Sequence, residues 1–374
     1  MASNNLSYVF NLLKKKLLKL PLRIVALITI LSLFGILVLY SAAGASMTPW
    51  GYKQLVNFSI FFPMAILLSM INLNFIFRWA FLPYIIVLAM LILVELFGIT
   101  AMGGKRWIEI AGLRLQPGEP AKIAIVLFLA KYFHSIPPQN VNKFSSLIVP
   151  IVATIIPAAL IIKQPDLGTG LLTLMVACSI FFAAGIAIWK FCAIGISGII
   201  AIPILWNFLY DYQKKRIMVF LNPELDPLGS GYNIIQSKIA IGSGGIFGKG
   251  IAMGTQSHLE FLPEHQTDFI FATLTEDLGF IGGFTLLILY FLLLASSISV
   301  AINARNVFSK LLVIGISAIF FFHTFINISM VMGLVPVVGI PLPFISYGGT
   351  MMASMLCGFG LVMNVHMNQN KLWK

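Results

Sequence analysis

The stretch "LRIVALITILSLFGILVLYSAA", Leu22 to Ala43, carries one charge, Arg23, in an otherwise apolar run broken only by Thr29, Ser32, Tyr40 and Ser41. A helix needs about 20 such residues to cross the hydrocarbon core of a bilayer. The preceding "MASNNLSYVFNLLKKKLLKLP" is basic, as the start of a secretory signal would be. An h-region, however, runs to only about 7–15 residues, and this run exceeds it. The stretch therefore reads as a retained membrane span, and the composition of the whole chain agrees. Of 374 residues 59% are hydrophobic and 10% charged, and the mean hydropathy is +0.97. Such a chain would aggregate in water but suits a bundle with lipid outside it.

Nine further apolar runs follow, near Leu55–Phe75, Trp79–Gly98, Ala121–Phe133, Leu147–Ile162, Thr169–Ile188, Phe191–Tyr210, Asp268–Val300, Leu311–Gly333 and Thr350–Val365. The expectation is an all-α polytopic integral membrane protein, a single membrane domain over 1–374 with about ten transmembrane helices. Pro150, Pro157, Pro203, Gly195, Gly198, Gly358 and Gly360 lie inside the runs and point to close helix packing. Cys178, Cys192 and Cys357 sit in apolar surroundings without the spacing of a metal site or a disulfide framework, and read as core fillers.

Short loops set the orientation. With the first span leaving the cytoplasm, thirteen basic residues collect inside: Lys14, Lys15, Lys16, Lys19, Arg23, Arg78, Lys131, Lys143, Lys190, Arg305, Lys310, Lys371 and Lys374. Basic residues prefer the cytoplasmic side, so both termini are expected there. The longer connections, including one large extracytoplasmic loop over Asp211–Thr267, then face outward. So do all twelve acids, from Glu95 to Asp277. Acids contribute little to topology, so their segregation suggests a polar site at the outer face. The bland alternative is loop polarity, with acids and bases pairing for solubility.

Four outer segments carry the constellations. In "GGKRWIEIAGLRLQPGEPAKIA", Gly103–Ala124, Glu119 and Lys122 share a helix face three residues apart and are expected to pair at the membrane rim, as clamp or as site. Arg106, beside Trp107, is either an interface anchor or a phosphate ligand. "KQPDLGTG", Lys163–Gly170, puts Asp166 in a turn before a helix, where an aspartate is commonly a cap. The 211–267 loop has an amphipathic stretch around Tyr232–Ile241 and then "IGSGGIFGKG", which matches no Walker or Rossmann fingerprint. Its glycines permit a tight chain, with amides that could approach an anion. "GLVPVVGIPLPFISYGGT", Gly333–Thr350, is too rich in proline and glycine for one helix, and broken backbone at membrane depth needs a protein-lined or wet setting.

The strings "QPDLGT", "DPLGSGYNIIQSKIAIGSGG", "GTQSHLEFLPEHQTDFIFA" and "GLVPVVGIPLPFISYGG" resemble, in order and over nearly the whole chain, the SEDS family (shape, elongation, division and sporulation). Within it they resemble the RodA-like branch more than the FtsW-like division branch. The resemblance implies a peptidoglycan glycosyltransferase of the cytoplasmic (inner) membrane that polymerises lipid II on the outer, periplasm-facing side during cell elongation. Its implied partners are a class B penicillin-binding protein, other elongation-complex membrane proteins and membrane lipids, with no nucleic acid. The family's catalytic aspartate falls on Asp268. A base must take the proton from the attacking 4-hydroxyl, and an α-linked donor giving a β-linked product means a single inverting displacement. The leaving pyrophosphate needs countercharge rather than a second acid. Arg106, Lys122 and Arg216 are candidates for it, with Glu119, Asp166, Lys238 and Ser346 as further substrate-binding candidates. No cofactor is firmly implied; a divalent cation, magnesium or manganese, on the pyrophosphate is compatible with the chemistry.

Read without the family, Asp268 in the first turn of its helix is either a cap or a base. Glu276 and Asp277 fall about 12 Å deeper along that helix, and are expected as polar contacts inside the bundle. Gln266 replaces a histidine common in the family and cannot titrate, and Gly118 replaces a serine. The main rival reading is a lipid II flippase, which would need the same spans and basic groups but should offer charge on both sides of the bilayer. A scaffold that merely recruits a transpeptidase leaves the acids unexplained.

Overall fold

The computed structural model describes residues 16–101, 104–110, 113–208, 211–226, 229–255 and 264–369. Among the described residues there are thirteen α-helices: α1 Leu22–Ala42, α2 Gly51–Ser69, α3 Leu73–Trp79, α4 Phe81–Phe97, α5 Gly118–His134, α6 Phe144–Lys163, α7 Leu167–Ala183, α8 Ile188–Phe208, α9 Asp211–Leu221, α10 Ser230–Ser243, α11 Ile270–Asn303, α12 Val307–Val331 and α13 Gly349–Met367. Each of the ten apolar runs overlaps a helix, and Leu55–Phe75 extends from α2 into α3. Among the described residues six helices are long and apolar enough to cross a membrane alone, and seven spans result if α3 and α4, bent by 47°, are counted as one. α7 and the apolar part of α8 are shorter.

α12 and α13 form the centre, with 67% and 72% of their most apolar stretches buried, against 22% for α2. α13 packs chiefly on α2, while α12 packs on α5, α7 and α11. Phe320, Phe344 and Phe359 meet edge-on or tilted in the middle, with ring centroids 5.4–6.3 Å apart. Gly35 of α1 lies so close to the backbone of Phe344 and Ile345 that a Cβ there would collide.

Prolines inside α6 expose how the bundle settles its backbone. Proline lacks an N–H, so Pro150 and Pro157 leave the carbonyls four residues earlier without their helical donors. Tyr132 of α5 donates its hydroxyl to Ser146 O (2.9 Å) and Tyr84 of α4 donates to Ala153 O (3.0 Å). In lipid such a carbonyl has no water to turn to.

The structure corrects the reading of three segments. The 99–115 connection is a three-stranded antiparallel sheet, β1 Ile99–Ala101, β2 Gly104–Ile110 and β3 Leu113–Leu115, with Ile99 opposite Trp107 and Glu109 opposite Arg114. The 211–267 segment contains two helices, α9 and α10, rather than plain loop. Finally, α11 is broken at Gly279 (φ 65°, ψ −163°), which the single run Asp268–Val300 did not reveal.

The glycine-rich segment repairs that break. Lys249 N and Gly250 N donate to Glu276 O and Asp277 O, both at 3.0 Å, while Phe280 N and Ile281 N donate to Gly245 O (2.9 Å) and Ile246 O (3.2 Å). The backbone groups released by the kink are thus paired in strand fashion. Gly248 and Gly279 approach so closely that a Cβ on either would strike the other segment. The amides of Lys249 and Gly250 are therefore engaged by the protein's own carbonyls, not presented to an anion.

Candidate active site

One end of the bundle, called upper here, holds the starts of α2, α5, α7, α11 and α13 and every acid among the described residues. Asp268 lies there, in a turn ahead of α11, whose first residue is Ile270. This corrects its expected place in the first helical turn. Asp268 does not cap the helix: the N-cap position belongs to Phe269.

The turn is fixed from within by Glu264, which adopts a left-handed φ of 55°. Its carbonyl accepts from Thr267 N (3.1 Å) and Phe269 N (3.4 Å). Its carboxylate accepts from the Thr267 hydroxyl (2.9 Å) and the Gln266 amide (3.4 Å). From outside, the broken 334–348 segment grips the same turn. Asn327 of α12 donates to both Asp268 O (2.9 Å) and Ile340 O (2.7 Å). Ser346 donates to Thr267 O (2.6 Å) and accepts from Leu342 N (2.8 Å), while Tyr347 N donates to Gln266 O (3.0 Å). Gln54 of α2 donates to Ser346 O (3.0 Å). The Ser346 hydroxyl, expected to meet substrate, is spent on backbone.

The turn that carries Asp268 is thus held on several sides, and the Asp268 carbonyl directly by Asn327, whereas no described residue hydrogen-bonds its carboxylate. Gly339, at φ 72°, comes so near that a Cβ there would stand 3.2 Å from Asp268 Oδ2. Burial and the neighbouring Glu264 carboxylate push the Asp268 carboxyl up to about 6. Arg106 and Arg216 pull in the opposite direction, and Asp166 adds a smaller upward push. The charge pattern around Asp268 is therefore two cations and two further anions.

Arg106 reaches this site because β2 projects it there. Its Nη1 stands 3.7 Å from Asp166 Oδ2, which also accepts from Gln116 Nε2 at 2.9 Å. The other Asp166 oxygen caps α7 through Thr169 N (3.1 Å). Asp166 is therefore both cap and ion partner. Arg216, half-buried on α9, faces the same centre.

Glu119 and Lys122 do form their ion pair, Nζ to Oε1 at 2.8 Å, but deep between α5 and α12 rather than at the rim, with 4% and 1% exposure. Lys122 Nζ also contacts His323 Nε2 at 2.7 Å. An ammonium can only donate, so Nε2 accepts and Nδ1 carries the proton directed at Pro341 O, 3.3 Å away. The buried row Glu119, Lys122, His323 thereby ends on the segment that grips Asp268. Lys238 is exposed on α10, its side chain lying across Gly333.

Glu276 and Asp277 are internal contacts, as expected. Glu276 Oε1 accepts from Lys249 Nζ (2.7 Å) and Thr255 N (2.8 Å), and Asp277 Oδ2 accepts from Ser41 Oγ. Among the described residues no group of three or more His, Cys, Asp or Glu is set to hold a metal ion. The carboxylates of Asp166 and Glu264 already serve protein donors. Among the described residues the donors around Asp268 do not fit a resident cation.

A family model described as a cell cycle protein and named for FtsW, RodA and SpoVE matches residues 20–371. The chain belongs to this family. The Escherichia coli peptidoglycan glycosyltransferase MrdB is 45% identical over 300 residues, 79% of this chain and 80% of that one. Stage V sporulation protein E of Bacillus subtilis is 41% identical, covering 74% and 75%. Among solved structures, a chain from work on polymerization and crosslinking by a peptidoglycan synthase complex superposes with a TM-score of 0.80 at 31% identity, covering 94% of this chain and 99% of that one. Thermus thermophilus rod shape determining protein RodA gives 0.71 at 26% identity, covering 93% and 97%. The resemblance carried by the motifs is borne out, including its RodA-like leaning.

In this FtsW/RodA/SpoVE chain, sequence reading passed over Glu264, Gly339, His323, Asn327 and Gln54. A signal existed for two of them. In "FFFHTFINISMV", His323 and Asn327 are four apart on one helix face within an apolar run, and polar groups at membrane depth mark sites by default.

Proposed function

We propose that this chain is a peptidoglycan glycosyltransferase that polymerises lipid II at the outer face of the cytoplasmic membrane, with Asp268 as general base. The observation that carries the reading is the held turn and the carboxylate of Asp268, which no described residue hydrogen-bonds, with Arg106 and Arg216 as its neighbouring cations. A carboxyl pushed up to about 6 is still largely ionised at neutral pH yet more basic than an ordinary aspartate, which suits proton abstraction near the working pH. In the reaction the acceptor's 4-hydroxyl gives its proton to Asp268 as its oxygen bonds to the donor's anomeric carbon. The bond to the lipid pyrophosphate breaks in the same step and its electron pair leaves with the phosphate. Arg106 and Arg216 meet the charge that develops there, with the guanidinium geometry suited to phosphate oxygens. A divalent cation, where one takes part, would arrive on the pyrophosphate and would supply further countercharge.

Described residues 16 and 369 lie at the lower end of the bundle, where, among the described residues, basic side chains collect without acids; this supports a cytoplasmic lower end and an outward Asp268. A class B penicillin-binding protein is the expected partner for crosslinking, in keeping with the synthase complex among the structural neighbours.

The deciding experiment uses purified Asp268→Asn protein with its cognate transpeptidase and lipid II. The expected result is loss of glycan chains with the complex intact. Long chains made at the normal rate would remove Asp268 as base and favour the flippase reading.

A further inference from the structure

The lower end of the bundle holds a cavity of about 190 Å³ whose walls include Lys16, Lys19, Ser69, Met70, Asn72 and Asn368. Lys16 and the turn after it precede α1, Ser69 and Met70 end α2, Asn72 caps α3, and Asn368 follows α13. Two helices thus begin here and two end here, so their dipoles largely cancel and leave the lysine charges standing. Lys16 Nζ donates to Met70 O at 2.8 Å, which uses one of its three protons and orients the ammonium toward the cavity wall.

Among the described residues no acid balances these charges. The chain contains no Asp or Glu before Glu95 or after Asp277, and every segment lining the cavity comes from those two stretches. Neither lysine has a carboxylate partner among the described residues. Between them, Leu17 and Leu18 are 48% and 79% exposed. Apolar side chains exposed beside basic ones place this segment at the level where headgroups meet acyl chains, with the ammonium groups snorkelling to the phosphate layer.

We propose that this cavity is a binding site for the phosphate of an anionic phospholipid in the leaflet at the lower end, with Lys16 and Lys19 as its cations and Asn72 and Asn368 as neutral polar walls. A phosphodiester fits because it is a compact monoanion with acceptor oxygens only, matching ammonium groups that can only donate. Basic pockets between membrane helices on this side hold headgroups of this kind. The site lies at the opposite end from Asp268 and is independent of its chemistry.

The test uses the full chain reconstituted in bilayers of phosphatidylcholine with and without phosphatidylglycerol, with retained lipids counted by native mass spectrometry. Phosphatidylglycerol should be retained in preference to phosphatidylcholine. Lys16→Gln or Lys19→Gln should each weaken that retention about fivefold and the pair about 30-fold, from the worth of a single lysine near an anionic surface. Lys16→Arg with Lys19→Arg should preserve it, as should Arg305→Gln with Lys310→Gln, a pair at the same end outside the cavity. Excess inorganic phosphate should not displace the lipid; displacement would assign the cavity to soluble phosphate and overturn the lipid. Unchanged retention in the double Gln variant, or equal retention of phosphatidylcholine, would overturn the site altogether.

Discussion

Asp268 and the pair Glu276 and Asp277 stand within ten residues of each other, and the protein treats them in opposite ways. Glu276 and Asp277 have helical backbone and carboxylates engaged by Lys249, Thr255 and Ser41. Asp268 has its backbone engaged, through Asn327 directly and through Thr267 by Ser346 and Glu264, while its carboxylate is left facing two arginines. An acid that serves the fold spends its side chain on the protein. An acid that serves chemistry, as proposed for Asp268, is held through its main chain, so the side chain remains available for a reacting group.

The sharpest way to break this contrast is Asp268→Asn. The rate of polymerisation should fall about 10²–10⁴-fold, yet thermal stability should rise. A folded-state value near 6 lies above the ordinary carboxylate value of about 3.9. The folded state therefore holds its proton where the unfolded chain has lost it, and stability falls as pH rises from about 4 to about 6. Asparagine removes that cost, on the order of 3 kcal/mol at neutral pH. A destabilised Asp268→Asn protein would mean that the carboxylate serves the fold after all.

Next in size is Asn327→Leu, which removes both donors to Asp268 O and Ile340 O. Loss of positioning by about 1 Å costs on the order of 10²-fold in rate, and turnover should suffer more than apparent substrate affinity. A variant with normal turnover would sever the link between main-chain grip and activity. Glu276→Gln should do the reverse. It leaves Lys249 facing a neutral amide and costs on the order of 1–3 kcal/mol, discounted because Lys249 keeps some solvent, while activity per folded molecule stays normal. Thermal unfolding read beside lipid II polymerisation separates the two.

Arg106→Lys keeps the charge but gives up the planar fork, and should weaken substrate use roughly tenfold at limiting lipid II. Full activity there would remove Arg106 from the site. The mildest probe is pH. Activity should drop toward tenfold per unit as pH falls below about 6, because a protonated Asp268 cannot accept the acceptor's proton. The slope should vanish in residual activity of Asp268→Asn.

The helical runs were legible because apolar length is a direct consequence of the bilayer, while the spans among the described residues number six or seven rather than the expected ten. Asp268 was legible through the motif around it, and Asp166 and Glu119 through local spacing. What escaped depends on partners far away in sequence. Arg106 meets Asp166 because β2 turns it inward, and nothing in "KRWIEI" announces the strands beside it. The break at Gly279 was hidden because glycines in an apolar run are common in membrane helices, and its repair comes from residues some thirty positions earlier. Ser346 looked like a substrate ligand because a serine in a broken membrane segment is usually exposed to something polar. Here that polar partner is the main chain of Thr267.

The seam between the glycine-rich segment and the broken helix has a use of its own as a clock. The amides of Phe280 and Ile281 lie inside a membrane helix, yet their hydrogen-bond acceptors are Gly245 O and Ile246 O, carbonyls of a neighbouring segment. Their solvent exchange is thus timed by undocking of that segment and not by unwinding of α11. Deuterium uptake at these two positions, faster than at Leu286 or Tyr290 further along the same helix, would count how often the 245–250 segment lifts away.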